Sequence, residues 1–198
     1  MKINDLKFGD IICVKSFSFI GWAIGNSFHT DSPMTWYNGT EAQKKRPSNH
    51  NGIIGYGKNG ELVIFEALGK GIVETPLQEY LDGVEAKKYE VKIVRSKIFF
   101  DEYTIKFGQS WLERQIGVKY DFLSFVSHIW RNTLNLPGIK AIQKNSRFYC
   151  TEFVMRFYQF IKPWAGTESD FFRNKLPTPY TVEKRWKQGY LTIVKEIF

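Results

Sequence analysis

The sequence predicts an α+β domain, and three observations carry that prediction. Short runs rich in β-branched and aromatic residues, parted by Gly, Asn or charged turns, fill the first half. Amphipathic helical periods fill the second half, and one strand-like run closes the chain. Strands followed by helices argue for an antiparallel sheet with segregated helices, not an alternating parallel one.

In chain order, the predicted strands are "DIICVK" (10–15), "NGIIGY" (51–56), "ELVIFEA" (61–67), "GIVET" (71–75) and "YEVKIVRS" (89–96). Over 101–116, Tyr103, Phe107, Trp111, Leu112 and Ile116 recur at three- and four-residue steps, the period of a helix face. Over 120–136, Phe122, Leu123, Val126, Ile129, Trp130 and Leu134 repeat the pattern. A third helix, 150–161, places Phe153, Val154, Phe157 and Ile161 on one stripe with Glu152, Arg156 and Gln159 off it, and Pro163 is expected to end it. "LPTPYTVEKRW" reads as a Pro-rich turn leading into a short helix, and "YLTIVKEI" as the last strand. Segments 26–49 and 162–180 show no clear element and read as lids, binding loops or disorder. Their Trp36, Tyr37, Trp164, Phe171 and Phe172 either grip a ligand or pack in the core.

At 198 residues the chain fits one domain spanning 1–198. Hydrophobic residues at 43% and aromatics at 17% exclude a disordered chain. Twenty-eight basic against 20 acidic residues leave +8, which favours anionic partners. The dense basic runs, "KKR" (44–46) and "EKRWK" (183–187), are too short for a nucleic-acid site and read as solvated surface. No charged head precedes an apolar stretch at the N-terminus, and no run approaches the ~18 apolar residues of a membrane span. The expectation is a cytoplasmic protein with no transmembrane segment, unless a phage or dedicated system releases it. Its oligomeric state is left open. Two cysteines, Cys13 and Cys150, read as free thiols and are too few for a structural zinc site, so neither metal nor cofactor is expected.

Cys150 falls where the polar "NSR" gives way to the third helical pattern. Unpaired backbone N–H groups and the positive end of the helix dipole stabilise a thiolate there, lowering a thiol from its free pKa of about 8.5. Cys150 also shares the apolar stripe, so a small core residue is the alternative. Cys13, inside "IICVK", reads as packing with no activated thiol. A nucleophilic thiol needs a base and a group that orients the base. Of the three histidines, His128 reads as solvated and His29 lies in a segment without an element, whereas His50 directly precedes a strand.

Hairpin register decides whether Glu66 can serve His50. If Asn59 and Gly60 alone form the turn, the two side chains emerge on opposite faces. A three-residue loop, Lys58, Asn59 and a left-handed Gly60, sets Gly57 opposite Glu61 and Gly52 opposite Glu66. His50 and Glu66 then share a face as diagonal neighbours, and this is the register expected. A carboxylate within "LVIFEAL" is either a surface group at a strand end or a buried one satisfied by an imidazole.

"FGDIICV", "SNHNGIIGY", "ELVIFEALGKGIVETPLQEYL", "GVKYDF" and "FYCTEFVMRFY" together resemble the permuted papain-like amidases of the NlpC superfamily, the YiiX-like and YaeF-like group related to the lecithin:retinol acyltransferase-like enzymes. In that group the His strand comes first and the Cys helix late, the order found here. The resemblance covers about residues 8–182 and implies a circularly permuted papain-like (NlpC-type) fold, an antiparallel sheet or partial barrel against a helical bundle. It matches His50 to the family's base, Glu66 to the acid of its "EA" pair and Cys150 to the nucleophile. The family's "CSE"-like motif reads Cys150, Thr151, Glu152 here, and the insert before His50 is long and polar.

The resemblance implies a cysteine hydrolase, an amidase or peptidase, acting through a Cys-His-Glu triad and a thioester. Tyr120, from "KYDF", is a candidate oxyanion donor beside the Cys150 N–H, or else a buried tyrosine satisfying a local backbone group. Lys70 and Arg147 are candidate ligands for a substrate carboxylate. The expected substrates are peptides, including those of cell walls; the alternative is a lipid-directed thioesterase or acyltransferase, suggested by aromatics including Trp22, Trp36 and Trp164. A third reading is a non-catalytic binding or structural module in a phage or toxin system.

Overall fold

The computed structural model describes residues 5–18, 21, 32–122, 147–165 and 178–197, with the backbone alone for 162–165. Six strands, β1 (Ile11–Ser16), β2 (His50–Tyr56), β3 (Leu62–Leu68), β4 (Gly71–Pro76), β5 (Tyr89–Ser96) and β6 (Leu191–Ile197), form one antiparallel sheet in the order β4-β3-β2-β1-β5-β6. Five helices are present among the described residues: α1 (Glu41–Lys44), α2 (Leu77–Glu85), α3 (Glu102–Gln115), α4 (Cys150–Ala165) and α5 (Pro179–Lys187). This is the α+β class expected, and every strand begins and ends within a residue of its predicted place.

β1 lies at the middle of the sheet and is buried on both faces, which is why its sequence is an apolar run without alternation. Ile11 and Cys13 point into a core with Ile53, Phe65, Leu112 of α3, Val182 of α5 and Phe153, Val154, Phe157 and Ile161 of α4. Ile12 and Val14 point the other way, toward Ile54, Ile64, Val91, Ile93 and the α2 side chains Leu77, Tyr80 and Val84. The α4 stripe is therefore core, and each fully buried Phe or Val on it contributes about 1.5–3 kcal/mol through removal from water. Local signals fix the helix starts. The Asp101 side chain caps α3 by accepting from the Thr104 N–H at 2.7 Å, and Pro179 follows the Thr178 cap of α5.

Several expectations change. Pro163 does not end its helix: α4 runs on to Ala165. A proline deletes one N–H and crowds the turn before it, yet its own φ suits a helix, so residues beyond it can continue. α2 was not predicted, and α1 falls in a segment read as having no element. In that segment Trp36 is fully buried and packs in the α4-side core, while Tyr37 is half exposed. Glu183, read as solvated, is fully buried. The helix expected over 120–136 lies outside the described residues beyond Phe122, as do Trp22, His29, His128, Phe171 and Phe172. Among the described residues no helix is long and apolar enough to cross a membrane.

Candidate active site

The β2–β3 hairpin has the three-residue loop. The Gly57 N–H donates to Glu61 O at 2.8 Å, Gly60 is left-handed at φ +81°, and Gly52 stands opposite Glu66. His50 is thus on the same face as Glu66, and its Nε2 is hydrogen-bonded to Glu66 Oε2. The strand that made the carboxylate look costly buries it completely. The Tyr80 hydroxyl, reaching across from α2, donates to the same Oε2 at 2.6 Å, whereas Oε1 has no hydrogen-bond partner among the described residues. Burial alone would raise the Glu66 carboxyl, but the His50 hydrogen bond and charge, with the Thr75 and Tyr80 hydroxyls, outweigh it and hold it below its ordinary value.

Cys150 arrives from the opposite side of the sheet. Its helix α4 packs on the face away from α2, but His50 is the first residue of β2, so the ring at the strand end is within reach of the first residue of the helix. The His50 ring and the Asn51 backbone N–H both lie near enough to the Cys150 sulfur to favour its thiolate. Thr151 Oγ1 lies 3.8 Å from that sulfur and accepts from Asn51 Nδ2 at 3.2 Å, which ties the helix start to β2. Burial of the 5% exposed cysteine opposes a thiolate, and these neighbours, His50 foremost, overcome it and lower the thiol pKa. His50 shows the mirror image: burial would lower it, but Cys150 and Glu66 raise it to about 10. Both shifts favour a thiolate–imidazolium pair.

Tyr120 is held beside this pair by a parallel bridge to Phe148, with the Asp121 N–H donating to Phe148 O at 3.1 Å and the Phe148 N–H to Lys119 O at 3.3 Å. Its phenol is pushed well up, by burial and then by the negative charge of Cys150 and Asp121, so it stays protonated and able to donate. Lys70 is exposed in the β3–β4 turn, and Arg147 is half-buried just before Phe148. Neither side chain makes a hydrogen bond or ion pair among the described residues, and neither is brought onto His50, Glu66 or Cys150. Cys13 is fully buried with its thiol pushed well up by burial and by the nearby Glu183 charge. Sequence reasoning missed Tyr80, Asn51 and Thr151. Only the apolar spacing of Leu77, Tyr80 and Val84 could have placed the Tyr80 helix against the sheet.

A family model described as permuted papain-like amidase enzyme, YaeF/YiiX, C92 family, matches residues 6–187. No curated protein sequence matches the chain. Among solved structures, the crystal structure described as metalloprotein yiiX from Escherichia coli O157:H7 aligns with a TM-score of 0.59 and 20% sequence identity, covering 98% of this chain and 99% of that one. The fold is shared. Among the described residues no three His, Cys, Asp or Glu side chains are grouped to hold a metal ion.

Proposed function

The chain belongs to the permuted papain-like amidase family of YaeF and YiiX, and from that premise we propose that it is a cysteine-dependent amide hydrolase with Cys150 as nucleophile, His50 as base and Glu66 as the residue that orients the base. The observation that carries the reading is the junction of two independent elements: a buried hairpin carboxylate fixes one nitrogen of His50, and a helix N-terminus presents Cys150 to the same ring. With Nε2 bound to Glu66, Nδ1 is left for the thiol.

In the reaction, the Cys150 sulfur, its proton on His50, attacks a substrate carbonyl and forms a tetrahedral intermediate. The negative oxygen is stabilised by the Cys150 N–H, which has no partner in the first helical turn, and by the Tyr120 hydroxyl. His50 returns the proton to the departing amine, leaving a thioester on Cys150. Water, deprotonated by His50, then attacks the thioester and releases a carboxylic acid and the thiol. Lys70 and Arg147 remain candidates for holding a substrate carboxylate at the rim. The lipid-directed alternative loses one support, because Trp36 is a core residue.

The test is the pH dependence of iodoacetamide labelling at Cys150. The labelling midpoint should fall below the ordinary thiol value in the wild type and rise in His50→Ala, where burial is opposed only by the Asn51 N–H and the Thr151 hydroxyl. An ordinary midpoint in both proteins would sink the proposal. Mass spectrometry of peptidoglycan digests and lipid extracts incubated with wild type or Cys150→Ala then separates amide from ester substrates.

A further inference from the structure

A hollow of about 100 Å³ opens at the end of β1, lined by Lys15, Phe17, Gly21, Gln43, Arg46 and Asn49, among others. Lys15 is 3% exposed, yet among the described residues its ammonium makes a single hydrogen bond, to Gln43 O at 2.6 Å, and no carboxylate of these residues comes within ion-pair distance. An ammonium carries three N–H donors, so two face the hollow or the Phe17 and Trp36 rings, 5.9 and 5.6 Å away. A buried cation with donors to spare is costly unless something fills its shell. The two buried carboxylates whose charges reach it are hydrogen-bonded elsewhere. Glu90 takes the backbone N–H groups of Tyr37 and Asn38, and Glu183 takes Ser32 and the Ser48 N–H.

The register places this hollow relative to the nucleophile. Asn51, which donates to Thr151 at the start of α4, stands opposite Cys13. Lys15 and Asn49 are the next residues along on the same face, about 7 Å further at two residues per step. Asn49 forms a fixed wall, its amide spent on Ser16 and Gly21. The hollow thus lies one two-residue step along the strands from Asn51, on the face that Asn51 presents to the start of α4.

We infer that this hollow is a subsite for a carboxylate carried by the acyl part of the substrate, with Lys15 as its principal ligand and Arg46 at its rim. The inference rests on the catalytic reading above for its orientation toward Cys150, but not for the binding itself. Burial, together with the charges of Arg46 and Lys92 and against those of Glu90 and Glu183, lowers Lys15 to about 8, and an anion seated there would raise it again. A hollow of this volume accommodates a carboxylate with water.

Acetate titrated into the wild-type protein should shift the Gly21 and Asn49 amide resonances saturably in the millimolar range, and the shift should vanish in Lys15→Met. No saturable shift, an equal one in Lys15→Met, or tighter binding of inorganic phosphate would overturn the assignment. Should Lys15→Met not fold, the wild type alone decides: acetate must raise the titration midpoint of the Lys15 side chain, and an unmoved midpoint refutes the site. For catalysis, p-nitrophenyl half-esters of dicarboxylic acids from succinate to suberate are compared with their methyl-capped counterparts. At one chain length the free acid should be preferred in kcat/KM by about tenfold or more, the ratio falling to about one in Lys15→Met. Capped esters that show no Cys150-dependent turnover count against the catalytic reading, and the acetate titration still decides the subsite.

Discussion

Glu66 is a residue whose neighbours oppose its burial cost. It is fully enclosed, and His50 and Tyr80 both bond one of its oxygens. Changing it to Gln keeps the shape but removes the charge that raises His50, so the imidazolium weakens and the Cys150 thiol moves up with it. Glu66→Gln should lower kcat/KM on the order of 10²–10⁴-fold, the scale seen when an orienting acid is neutralised. Its iodoacetamide midpoint should shift upward, and an unchanged midpoint would show that Glu66 acts only through packing. Glu66 was legible in the sequence because an acid inside "LVIFEAL" demands a partner, and His50 because it leads the paired strand. Tyr80 was not, since a helical tyrosine gives no sign of where its hydroxyl ends.

At the scale of elements, the site depends on the β2–β3 register, and Gly52, directly opposite Glu66, is one of the places where that register is tight. A Cβ on Gly52 would lie 2.7 Å from Ile64 Cγ2 and 3.2 Å from Glu66 Cβ, so one of these strands must shift. Gly52→Ala should cost about 1–3 kcal/mol in urea unfolding and slow Cys150 labelling near neutral pH, because the displaced carboxylate no longer holds His50. Full stability with wild-type labelling would mean that the hairpin has slack. The strands were readable because period-two apolar patterns and Gly or Asn turns are local signals. Pro163 misled because a proline's lost bond falls near the helix end, where α4 tolerates it. The run "EKRWK" misled in another way: charge density suggests solvent, but on α5 the first residue of that run faces the core.

Across the whole molecule, that inward Glu183 joins three distant parts of the chain. Its carboxylate binds Ser32 and the Ser48 N–H from the segment preceding β2, and Trp36 donates to the same Ser32 hydroxyl at 3.3 Å. Burial, only partly offset by these hydrogen bonds, raises Glu183 to about 7. A group with a raised folded value contributes stability that is complete below its unfolded value, near 4.5, and is lost as pH rises through about 7. The change amounts to about 3 kcal/mol across that window. Urea unfolding from pH 4 to 8 should therefore show a decline in the wild type that is flatter in Glu183→Gln; parallel curves would remove Glu183 as its source. Cys13 gives the fold one more consequence. One sulfur is sealed in the central strand and the other waits at a helix start, so the native protein should consume about one equivalent of a thiol reagent and the denatured chain two. The ratio between those counts would measure, in any preparation, the fraction of molecules that are correctly folded, without a substrate.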